Sequence, residues 1–66
     1  MATDNIALVS VFEDLAVVLD RQADNVIAAA KRDGIDPSTF DTWVHGLRDE
    51  AERAREMTRA IRDDSL

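Results

Sequence analysis

Apolar residues recur along this chain at three- and four-residue steps, in two blocks separated by one junction. In the first block Leu8, Phe12, Leu15, Leu19, Val26 and Ala30 keep that step, with Gln22 in the same stripe. In the second block Phe40, Val44, Leu47, Ala51, Ala54, Thr58 and Ile61 alternate strictly by four and three. Such spacing collects a stripe on one side of an α-helix, and the alternation is that of a coiled-coil seam. No strand pattern, internal repeat or low-complexity run interrupts the two blocks.

The junction is Gly34-Ile35-Asp36-Pro37. Gly34 lacks a Cβ and can take the left-handed conformation that closes a helix. Asp36 can accept from the free amides of the next first turn, and Pro37 suits the first helical position, where its missing N–H costs nothing. Ile35, just before that cap, can pack on Phe40 as a staple. The pattern therefore predicts an all-α fold, an antiparallel, coiled-coil-like two-helix hairpin in a single domain, 1–66. Its parts are a helix over about 4–33, a turn at 34–36 and a second helix over about 37–63. Thr3 or Asp4 would cap the first helix, and Lys31 and Arg32 suit the negative end of its dipole. The tail Asp63-Asp64-Ser65-Leu66 is expected to fray.

The two stripes can be laid against each other. A turn near residue 35 sets Ala30 beside Phe40, Val26 beside Val44, Ala23 beside Leu47 and Leu19 beside Ala51. Farther along, Leu15 meets Ala54, Phe12 meets Thr58 and Leu8 meets Ile61. Most pairs oppose a large side chain to a small one, as even packing density requires. The expected hairpin core is Phe12, Leu15, Leu19, Val26, Phe40, Leu47 and Ile61.

The first helix carries more apolar surface than one partner helix can cover. Val11 and Val18 flank its stripe on one side, Val9, Ala16 and Ala23 on the other, and Ile6, Val17 and Ile27 lie farther round. The second helix adds Trp43, Gly46 and Met57 to one side of its own stripe. A glycine inside a helix costs about 1 kcal/mol against alanine, which a close approach by another helix could offset. Val11, Val18, Trp43, Gly46 and Met57 are accordingly the candidate second interface. Two hairpins packed face to face would bury it in a four-helix bundle, a homodimer. A different protein covering the face of the first helix is the alternative.

Composition points the same way. Sixty-six residues bury only a small core. Without cysteine there is no disulfide to reinforce it, which leaves association as the usual remedy. Fourteen acidic residues against eight basic ones give a net charge of −6. The excess is spread over both halves, with no basic patch, so direct nucleic-acid binding is disfavoured. No apolar stretch is long or uncharged enough for a membrane span or an export signal, and the expected location is cytoplasmic.

The residues offer little chemistry. There is no cysteine or tyrosine, and one histidine. Ser10, Ser38 and Ser65 have no base and orienting group in view, and two glycines cannot build a phosphate loop. Asp41, His45 and Asp49, at steps of four on the second helix, are the weak metal-site candidates; an exposed histidine between carboxylates is the simpler reading. Glu13, Asp14, Asp20 and Asp24 on one helix, with Asp49, Glu50, Glu52 and Glu56 on the other, also suggest an acidic nucleic-acid mimic, though five arginines interleave with the second set. Pairs at helical spacing such as Arg48–Glu52, Asp49–Arg53, Glu52–Arg55, Glu56–Arg59 and Arg59–Asp63 read as a solvated face. The sequence thus predicts a small non-enzymatic interaction module, such as a regulator, adaptor or assembly factor, that self-associates through apolar helix faces. It needs no cofactor, and a further protein partner is expected. An inhibitor or antitoxin-like protein that binds one target through the first helix is the second reading, and the acidic mimic the third.

Overall fold

A computed structural model describes the backbone of residues 2–65 and the side chains of residues 6–63. Helix α1 spans Ala2–Arg32, a 3-10 turn spans Pro37–Phe40, and helix α2 spans Asp41–Ser65. The two helices pack against each other as an antiparallel hairpin, a rod of 50 × 16 × 9 Å. Helix α1 already includes Thr3 and Asp4, so neither stands before it as a cap, and their side chains lie outside the described residues. Helix α2 runs through Asp63 and Asp64 to Ser65, and Leu66 lies outside the described residues.

The turn is built from the residues that the junction pattern singles out. Gly34 has φ +75°, in the left-handed region that a Cβ disfavours. Its N–H donates to the Lys31 carbonyl at 3.2 Å, and the Ile35 N–H donates to the Ala30 carbonyl at 2.8 Å. These are the two bonds of a Schellman closure, which use carbonyls the helix end leaves free. Asp36 then starts the next element: its Oδ1 accepts from the Ser38 N–H at 3.0 Å, and its carbonyl accepts from the Thr39 N–H, also at 3.0 Å. Pro37 occupies the first position after this cap. The first turn is 3-10 and passes into the α-helix at Asp41, so α2 proper begins four residues later than the pattern predicts.

The seam of α2 is the predicted one. Val44, Ala51, Ala54 and Thr58 are buried, and Phe40, Leu47 and Ile61 are half-buried. The Thr58 hydroxyl donates to the Ala54 carbonyl at 3.1 Å, so its burial leaves no orphaned donor.

On α1 the seam is displaced by part of a turn. Ala16, Ala23 and Ala30 are buried, with Val9, Phe12, Leu19 and Val26 half-buried between them. Ala16, Ala51 and Ala54 form the central cluster, onto which Phe12 and Leu19 pack. Leu15, expected in the core, is 43% exposed, and Leu8, expected against Ile61, is 45% exposed. The physical reason is phase. Val9, Phe12, Ala16, Leu19, Ala23, Val26 and Ala30 alternate three and four without a break, as the α2 seam does. Val26 and Ala30 of the expected stripe lie on this contact line, but Leu8, Leu15 and Gln22 each stand one residue before a seam position and turn to its flank. Alanine at every seventh position also lets the helix backbones approach, where leucine would hold them apart. The register that sets Leu19 on Ala51 sets Ala16 against Ala54 and Val9 against Ile61, so the opposition of large to small is kept at Leu19 and lost at the other two.

Two predictions follow from this packing and this cap. Ala23 is 0% exposed, so Ala23→Leu should cost about 1–3 kcal/mol through overpacking, measured by chemical denaturation. The Ser38 N–H and hydroxyl beside Asp36 hold its carboxyl below the ordinary value of 3.8. A lowered folded pKa contributes stability above the unfolded value, and that contribution is lost as pH falls through the folded pKa. Asp36→Asn, which can still accept at the cap, should therefore flatten the melting-temperature profile below pH 3.8 relative to the parent chain. Identical acid profiles for the two proteins would refute this role.

Candidate interaction face

In an antiparallel pair of helices, one step back along either chain turns both side chains toward the same side of the hairpin. One step forward turns both toward the opposite side. The two flanks of the seam can therefore be read residue by residue, and they differ in chemistry.

The forward flank is charged and cross-linked. Arg48 reaches Asp24 at 3.4 Å, Arg55 bonds Asp20, and Arg62 bonds Glu13. All six residues stand one place after a seam residue on their own helices. Arg55 is also 3.9 Å from Glu52, which Arg59 meets at 3.2 Å. The hydrogen bond from Arg55 to the Asp20 carboxylate raises the guanidinium pKa above its already high ordinary value. These bridges keep the expected Glu52–Arg55 pair and correct others. Arg48 turns to the other helix instead of to Glu52, Arg53 bonds Glu50 at 3.1 Å instead of Asp49, and Arg59 bonds Glu52. A sequence signal for this flank existed: Arg48, Arg55 and Arg62 are spaced by seven, as are Glu13 and Asp20.

The backward flank is open and largely apolar. On α1 it holds Leu8, Val11, Leu15, Val18, Gln22, Asn25 and Ala29, every one exposed and none charged. On α2 it holds Trp43, Gly46, Glu50, Arg53, Met57 and Ala60, again all exposed. All five candidate interface residues, Val11, Val18, Trp43, Gly46 and Met57, fall on this one face. Trp43 is 67% exposed and borders a shallow groove with Phe40, Gly46, Leu47 and Glu50. No atom lies within 4 Å of where a Cβ on Gly46 would stand, so the hairpin itself makes no close approach there. Ile6 and Val17 are exposed outside this face, on the ion-paired side.

Asp41, His45 and Asp49 are all exposed along α2. Among the described residues no group of three or more His, Cys, Asp or Glu side chains converges to hold a metal ion. Nor is any described helix long and apolar enough to cross a membrane. No family model, curated protein or solved structure matches this chain.

The cross-helix bridges can be tested by exchange. Asp20→Arg alone should lower the melting temperature at low salt, and Asp20→Arg with Arg55→Asp should recover much of the loss. The coupling should shrink as salt rises. A double variant no more stable than the sum of its singles would remove the bridge from the account of the fold.

Proposed function

We propose that this chain is a small non-enzymatic interaction module of the cytoplasm that works as a homodimer, joined through the backward flank of its seam. The observation that carries the reading is the asymmetry of the hairpin: one flank is closed by ion pairs, and the other presents an uncharged aliphatic stripe beside Trp43 and Met57. Monomers seldom leave such a patch in water.

The extent of exposed surface fits a hairpin whose open face is covered by another chain. A compact monomer of 7.3 kDa exposes about 4,200 Å², whereas this chain exposes 4988 Å². The excess is about 800 Å², close to the share each partner contributes to a standard protein–protein interface. The acidic mimic is less well supported, because Glu13, Asp20 and Asp24 spend their charge on arginines of α2. An antitoxin-like protein would offer the same apolar face to a different chain, and solution mass separates the two.

Light scattering behind size exclusion should give twice 7.3 kDa over a wide concentration range. Val18→Glu should convert the dimer to a monomer that remains helical. A parent chain that is monomeric at high concentration would overturn self-association and leave the heterologous partner.

A further inference from the structure

Resting on the homodimer just proposed, we infer where its two copies come closest: the bare backbone of Gly46 is the contact point, and Trp43 beside it is the anchor. The hairpin by itself has no use for this glycine. Gly34 is the glycine with positive φ, so Gly46 keeps an ordinary helical backbone, which alanine adopts at lower cost. Nor does the hairpin crowd it, since nothing lies within 4 Å of the place a Cβ would take. A side chain missing from the middle of a helix lets another backbone approach, and here that approach comes from outside the chain.

Trp43 stands one helical turn before that gap and is the largest side chain on the open face. It is 67% exposed, so the hairpin holds an indole in water beside a stretch of uncovered backbone. The two residues line one shallow groove, with Phe40 and Leu47 along its inner side and Glu50 at its end. Binding energy concentrates where a large aromatic group is desolvated against a well-filled recess, and the groove offers both halves of such a contact.

The electrostatics of the face suit a second copy. The chain carries −6 overall, yet from Leu8 to Ala29 the open face has no charge on α1. On α2 its Glu50 and Arg53 neutralise each other across 3.1 Å. The acidic excess lies on other faces, so two copies meet here without setting like charges together. The excess surface of about 800 Å² is the share that each member of a standard pair contributes.

Gly46→Ala separates the hairpin from the contact. In a single hairpin the new methyl meets nothing, and alanine is the better helix former. Placed in the Val18→Glu chain, which stands alone, it should raise the melting temperature by about 4–8 °C. Between two copies the same methyl holds the backbones apart, so the dissociation constant from sedimentation should rise about tenfold or more. One tryptophan and no tyrosine make the fluorescence that of Trp43, and its emission should shift to the blue as the parent chain associates. A stabilised single hairpin together with a weakened dimer supports the contact point. A Gly46→Ala chain that associates as tightly as the parent overturns it and leaves self-association standing, as does an indole that stays in water in a sample of dimeric mass. A parent chain that is monomeric at high concentration overturns both.

Discussion

The hairpin depends on a single constraint: two helices can share only one seam, and this seam is lined with small side chains. Its buried positions are Ala16, Ala23 and Ala30 of α1 and Val44, Ala51, Ala54 and Thr58 of α2, and among the described residues no large side chain is fully buried. Small groups let the backbones approach and pack without voids, but each removes little apolar area from water. The larger aliphatic and aromatic groups, Phe12, Leu19, Phe40 and Leu47, sit half-buried at the margins. Such a seam specifies the register well and holds it weakly. The rest of the molecule answers that weakness through the Schellman closure at Gly34, the cap at Asp36, the charged flank and the uncovered apolar flank.

The flanks divide the work of specificity and association. Three bridges between the helices bind one edge of the contact. Exposed ion pairs contribute little to stability on their own. From Leu8 to Ala29 the opposite edge carries no charge on α1. A helix with eight charged residues that leaves seven positions of one stripe uncharged separates its surfaces by function, one for solvent and one for another chain.

Much of this could be read before folding. The junction residues foretold the turn down to the left-handed glycine and the aspartate cap, because those are local events governed by the backbone of four or five residues. The α2 seam was legible because its apolar positions are bounded by charge on both sides. The α1 seam was harder. With leucines at 8, 15 and 19 and alanines at 16, 23 and 30, two stripes of α1 compete, and hydrophobicity alone favours the leucines. The rule that large side chains mark the core fails where a close two-helix approach favours small ones. The cross-helix ion pairs are hidden for a related reason: spacing within one helix does not reveal them, because the arginines at 48, 55 and 62 answer acids on the other helix.

The sequence by itself determined the number of helices, the place and geometry of the turn, the antiparallel pairing and the seam of α2, since each follows from local backbone preference or from periodicity. Only the tertiary structure decided which stripe of α1 is buried, which arginines cross between helices and, as a result, which face is left open. Those outcomes depend on the phase of one helix against the other and on the distance between them. A helical sequence read alone carries no information about the side chains across the seam that settle both.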